Sequence, residues 1–264
     1  MDAVTAPGLV RVTSPEPGVA VVTLHDEPGR NALSREMVST LEATFDGIGR
    51  DERMRVVVLA GLPDVFCSGA SRALLDDVVA RRVPSADILL PRLLLDCPLP
   101  CIAAMAGHAV GGGFALGVAA DVVLLARESR YALNFLNMGL SPGMGTTRLL
   151  EHVLSPAVAH ELLYTGEARR GRDFEGRTGV NYVLPRDQVV PRALDIAARI
   201  ADKPRLALTA LKRVLSLPRR QAFESGRTLE TLMHEVTFAQ REVPRWIAEN
   251  FADGEQPKPT GEPK

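Results

Sequence analysis

The chain has 264 residues, 46% of them hydrophobic, a formal net charge of −1 and three cysteines. That length suits one large domain or a domain with an appendage, and the near-neutral charge gives no electrostatic case for nucleic-acid binding. No apolar stretch reaches membrane length, and the N-terminus lacks a charged-then-apolar signal pattern. Cys67, Cys97 and Cys101 have no metal-ligand spacing and indicate a reducing compartment, so a cytoplasmic protein without membrane contact is expected.

In chain order, Gly18–Leu24 reads as a strand and Ser34–Arg50 as a helix with Ser34 as its cap. A strand over Arg55–Ala60 and a helix over Ser71–Ala80 follow, then strands over Cys101–Ala106 and Asp121–Ala126. This alternation argues for the α/β class. After about Pro191 the strand signals stop, and Ala193–Ala201, Pro204–Ser216 and Phe223–Gln240 are helical in pattern, punctuated by Pro218 and Pro244. In the last of these, Leu229, Leu232, Met233, Val236 and Ala239 form a stripe predicted to face the core, which leaves His234 on a second face with Thr231 and Phe238. The stretch from Asp253 to Lys264 is rich in proline and charge and is expected to be disordered.

Two glycine turns carry the chemistry: Phe66-Cys67-Ser68-Gly69-Ala70 and Gly107-His108-Ala109-Val110-Gly111-Gly112-Gly113-Phe114. Each follows an apolar run and leads into a helical pattern. Glycine lets main chain approach a ligand, and a helix start offers unpaired N–H donors and partial positive charge. The two turns read either as halves of an oxyanion hole for an enolate or, more plainly, as close helix-on-strand packing. Cys67 lies in the first turn, but nothing in the sequence supplies it with a base and an orienting group, so it is not taken as a nucleophile.

These turns, followed by Leu140-Ser141-Pro142-Gly143-Met144-Gly145, resemble the enoyl-CoA hydratase/isomerase (crotonase) superfamily from about Val10 to about Phe251. The resemblance implies a spiral of repeated β-β-α units over residues 1–192 and a helical C-terminal region over 193–252 that builds a homotrimer or a dimer of trimers. It also implies a thioester carbonyl held by the N–H groups of Ala70 and Gly112. No cofactor is implied beyond the phosphopantetheine of an acyl carrier protein, or coenzyme A, as the acyl tether. Hydratases of the superfamily carry two glutamates where this chain has Ala115 and Phe135, and neither of these can transfer a proton. Asp121 and Glu128 do not fill in, and both are expected to be structural or exposed.

A narrower resemblance lies in Leu94-Leu95-Asp96-Cys97-Pro98-Leu99-Pro100, the run Asn134 to Gly145, and Met233-His234-Glu235-Val236-Thr237-Phe238. These segments are similar to the decarboxylases of polyketide β-branching cassettes, which act on a 3-methylglutaconyl-like group on an acyl carrier protein. Such a reaction needs the oxyanion hole but no glutamate pair, because departing carbon dioxide replaces the proton a base would remove. The subgroup's lysine for the substrate carboxylate is absent. Arg82, with Arg81 next, is the expected replacement; a guanidinium can clasp a carboxylate but cannot give up a proton. His234 is the expected proton carrier, and Phe135, Leu136, Met138 and Met144 are expected to shape the acyl pocket. Arg169-Arg170-Gly171-Arg172 or Arg219-Arg220 would offer basic surface to an acidic carrier. Two alternatives stand beside the decarboxylase: an enoyl thioester hydratase, dehydratase or isomerase using substituted residues, and a non-catalytic carrier-binding module.

Overall fold

The computed structural model describes residues 8–83 and 90–251. The expected disordered tail therefore lies outside the described residues. The strands are β1 (Val10–Thr13), β2 (Val19–Leu24), β3 (Val56–Ala60), β4 (Val65–Cys67), β5 (Cys101–Met105), β6 (His108–Val110), β7 (Val122–Ala126), β8 (Arg130–Ala132), β9 (Arg169–Arg170) and β10 (Tyr182–Leu184). Between and after them run α1 (Arg35–Arg50), α2 (Arg72–Val79), α3 (Leu90–Asp96), α4 (Gly112–Val118), α5 (Thr146–Leu149), α6 (Glu151–Leu154), α7 (Pro156–Thr165), α8 (Arg186–Ala201), α9 (Arg205–Leu215), α10 (Leu217–Thr237) and α11 (Val243–Asn250).

The strands divide between a six-stranded sheet, in the order β1-β2-β3-β5-β7-β10, and a four-stranded sheet, β4-β6-β8-β9. Each successive pair, β3-β4, β5-β6 and β7-β8, gives its first strand to the large sheet and its second to the small one. Repetition of that step is the spiral of β-β-α turns. The central strands β3 and β5 are buried along their whole length, as suits parallel strands covered on both faces. One face packs on Ala193 and Ala197 of α8, and the other on a larger core that includes Leu41 of α1, Leu94 of α3 and Phe114 of α4.

The predicted Ser34 cap is present, its Oγ accepting the Met37 N–H, and Ser71, read as the first residue of its helix, is instead its cap, with Oγ accepting the Leu74 N–H. The helical C-terminal part begins earlier than the sequence suggests. α8 starts at Arg186, so the expected boundary between residues 192 and 193 falls inside it, and Pro191 lies within its first two turns. A proline that early forfeits few internal hydrogen bonds, and so it does not mark a boundary.

α10 reverses the predicted burial. Phe223, Gly226, Glu230 and His234 face inward, while Leu229, Leu232 and Val236 are exposed. The stripe thus points away from this chain's own core. Asp121 anchors the helical region, accepting the Cys101 N–H and pairing with Lys212 of α9 at 2.6 Å and with Arg219 of α10. Arg219 is largely buried and Arg220 donates to the Leu95 carbonyl, so this pair braces the fold instead of forming a docking surface.

Candidate active site

The site is built from the loop before α1 and the two glycine turns. Asn31 is fully buried, and its amide nitrogen donates to the carbonyls of Leu24, Val65 and Phe66, tying β2 to β4. Two residues on, Leu33 forms a parallel bridge with the first turn: its N–H donates to Gly69 O at 2.7 Å and its carbonyl accepts from Ser71 N–H. Because Gly69 and Ser71 both bond to that edge, the N–H of Ala70 between them points to the opposite side. Gly69 has φ +96°, and a Cβ there would stand 2.9 Å from the Val110 carbonyl oxygen, so the turn requires glycine.

The second turn ends β6 and starts α4, with Gly111 as N-cap. The Gly112 N–H is the first of the helix and has no intrahelical acceptor. Gly113 serves packing: a Cβ on it would lie 2.6 Å from Cys67 Cβ and Sγ. The packing reading of the triple glycine thus holds at Gly113, while Gly112 keeps an N–H without an intrahelical acceptor. Cys67 itself is fully buried, and burial pushes its thiol pKa up to about 12, so it is no nucleophile.

Ala70 and Gly112 line one cavity of about 250 Å³, together with Phe135 and Met138. Leu136 is not on that wall; it is exposed at the one-turn helix Leu136–Met138. Met144 lies behind the second turn, its Sδ 3.1 Å from where a Gly112 Cβ would be. His234 is buried behind the same turn, with Nε2 3.0 Å from the Pro142 carbonyl oxygen and its ring stacked on Phe238 at 4.4 Å. Desolvation holds the His234 pKa below the usual histidine range, against hydrogen bonds to the Pro142 and Ser141 backbone that pull it up.

Arg82 does not enter the cavity. It pairs with Asp77 at 2.6 Å on the surface, and Arg81 pairs with Glu235 at 3.2 Å. Asp77 already faces Arg35 from α1, so this end of α2 is an exposed charge cluster. Three residues that carry the local geometry were not singled out from the sequence. His108 lines the cavity, its Nδ1 accepting the Arg130 N–H, and burial lowers its pKa. Glu230 is buried, and accepts from the N–H groups of Gly145 and Thr147 and from the Thr147 hydroxyl, which fixes the turn behind Gly112. The third is Asn31; a buried asparagine or glutamate gives no periodic signal that sets it apart from a surface one.

A model of the enoyl-CoA hydratase/isomerase family matches residues 15–258. This chain belongs to the enoyl-CoA hydratase/isomerase family. Within the family it is similar to the bacillaene synthase decarboxylase PksI of Bacillus subtilis, 37% identical over 235 residues that cover 89% of this chain and 94% of PksI. It is also similar to the solved ECH2 decarboxylase domain of CurF from Lyngbya majuscula, with TM-score 0.85 and 37% identity over 92% of this chain and 100% of that one. A solved structure from a dehydratase/decarboxylase enzyme couple of polyketide β-branching matches with TM-score 0.89 and 36% identity, covering 93% of this chain and 100% of its own.

The departure from the hydratase pattern of the enoyl-CoA hydratase/isomerase family is plain in three dimensions. Ala115 is buried within α4 and Phe135 lies on the cavity wall. Among the described residues that line the cavity, Glu249 is the one carboxylate, and it is exposed and paired with Arg245.

Proposed function

We propose that this protein is a decarboxylase of polyketide β-branching that acts on a 3-methylglutaconyl-type thioester carried by an acyl carrier protein. The observation that carries the reading is a cavity that joins Ala70 and Gly112 of the two glycine turns and is lined by Phe135, the position where the resemblance implies a hydratase's acid. Full-length similarity to PksI and to the CurF domain, both decarboxylases, supports it.

In this reading the bond between the methylene carbon and the terminal carboxylate breaks, and carbon dioxide leaves. The electron pair flows through the alkene onto the thioester oxygen, giving a dienolate held by the N–H groups of Ala70 and Gly112. Two such donors are worth most where charge develops, and losing one costs roughly 2.7–4 kcal/mol. A proton then returns to carbon and yields the enoyl thioester. That proton is assigned to His234, which is not in the cavity lining but packs on the Pro142–Met144 turn that backs Gly112. Phe135 and Met138 shape the acyl end.

The phosphopantetheine of the carrier is the tether, and no other cofactor is required. Leu206, Leu211, Val214 and Leu215 of α9 are exposed, as are Leu229, Leu232 and Val236 of α10, and such uncovered apolar side chains suit a homotrimer or a dimer of trimers. No helix among the described residues is long and apolar enough to cross a membrane, in keeping with a cytoplasmic enzyme beside its carrier. The test is turnover of a carrier-bound 3-methylglutaconyl group: carbon dioxide release supports the reading, whereas water addition or binding without product defeats it.

A further inference from the structure

The withdrawal of Arg82 into a surface ion pair leaves the substrate's carboxylate without an assigned partner, and the cavity itself supplies one. We propose that Asn134 is the substrate-binding residue that seats the free carboxylate of the acyl chain, through a hydrogen bond donated by its side-chain amide. This rests on the decarboxylase reading above and names how that site selects its acid.

Asn134 follows β8 and lies on the cavity wall immediately before Phe135. Its Oδ1 stands 3.2 Å from where a Cβ on Gly111 would be, which sets the amide beside the turn that presents the Gly112 N–H. Gly111 is fixed there, since its own N–H donates to the Ala132 carbonyl at 2.8 Å. Among the described residues no protein group hydrogen-bonds to the Asn134 amide.

Most other polar side chains of the wall have a partner within the fold, the Ser68 hydroxyl excepted. The Asn137 amide donates to Gly166 O at 3.2 Å, Asn250 donates to Trp246 O, and Arg30 pairs with Asp64. His108 has its Nδ1 occupied by the Arg130 N–H. A half-buried amide whose donors meet no protein acceptor among the described residues, next to Ala132, Phe135, Met138 and Leu140 on the wall, is available to donate to a ligand.

The chemistry favours an amide over a guanidinium. A carboxylate about to leave as neutral carbon dioxide loses its charge in the transition state, so a strong ionic grip would stabilise the ground state more than the transition state. A neutral donor orients the acid and still discriminates against substrates that lack it, because the donor then stays unpaired. A carboxylate at the Phe135 position would repel the acid, and Phe135 removes that repulsion while Asn134 adds a donor next to it.

The test separates binding from turnover by using saturated thioesters that have no conjugated alkene and cannot decarboxylate. The affinities of 3-methylglutaryl-pantetheine and 3-methylbutanoyl-pantetheine are measured by calorimetry for the wild-type protein, Asn134→Leu and Asn134→Asp. The wild type should prefer the acid by roughly 10-fold or more, Asn134→Leu should bind both within about twofold, and Asn134→Asp should invert the preference. Thermal melts of all three confirm that each variant is folded. Equal affinities in the wild type, or an unchanged preference in Asn134→Leu, overturns the assignment. Decarboxylation of the conjugated thioester by the wild type is assayed separately, so a failure of the decarboxylase reading is seen on its own.

Discussion

Replacing His234 by glutamine separates its structural part from its chemical one. In the structure the ring makes a 3.0 Å hydrogen bond to the Pro142 carbonyl and stacks on Phe238 at 4.4 Å. Glutamine is of similar length and its amide N–H can keep the bond to Pro142, so the chief structural loss is the stacking, worth about 0.5–1.5 kcal/mol. For a chain of this size that lowers Tm by roughly 1–6 °C. Loss of a positioned proton carrier costs far more in rate, about 10²- to 10⁴-fold in kcat. His234→Ala removes both contributions, so its Tm should fall further while its turnover is no lower than that of His234→Gln. The assay is single-turnover mass spectrometry of the loaded carrier, alongside thermal melts. Turnover of His234→Gln within about threefold of wild type would remove His234 from proton delivery and leave His108, the imidazole in the cavity lining, as the carrier.

Burial holds both His108 and His234 below the usual histidine range. The unfolded chain then binds more protons than the folded one just below pH 6.5, so the stability they contribute is complete above about pH 6.5 and is lost as pH falls from there through their folded-state values; urea midpoints at pH 5 and pH 7 measure it. Midpoints that rise on acidification would contradict this. Gly113→Ala would place a Cβ 2.6 Å from Cys67, which should lower stability by about 1–3 kcal/mol and reduce turnover by shifting α4 and the Gly112 N–H; a melt unchanged from wild type would mean that α4 can slide without cost. Arg82→Ala breaks an exposed pair with Asp77, so stability should change by no more than about 0.5 kcal/mol and KM should stay at the wild-type value. A KM raised roughly tenfold would restore Arg82 to the carboxylate site.

Much of the fold was legible because local signals and tertiary roles coincide. Ser34 and Ser71 precede apolar-periodic helices and cap them, and the runs at Val56–Ala60 and Cys101–Met105 are apolar enough to be read as strands buried on both faces. The glycine turns were legible as well, since Gly69 occupies a backbone region that other residues avoid and Gly113 touches Cys67.

Where the reading failed, periodicity was silent about what covers a face. On α10 the leucine stripe is real, yet the core takes Glu230 and His234, because the Gly145–Thr147 turn offers N–H donors that a carboxylate satisfies. A sequence pattern records that a face is apolar, not whether the covering atoms belong to the same chain. Arg82 was misplaced for a related reason: a guanidinium that can clasp a substrate carboxylate can equally clasp Asp77 in the last turn of the preceding helix. Basic Arg219 was read as surface, and the partly buried Asp121 it pairs with is distant in sequence.

The most direct test of the account is intact-mass spectrometry of an acyl carrier protein loaded with a 3-methylglutaconyl group, before and after incubation with this protein. A loss of about 44 Da is expected, as carbon dioxide leaves a dienolate held by the Ala70 and Gly112 N–H groups. A gain of about 18 Da would mean that water has been added despite Ala115 and Phe135, and would contradict it.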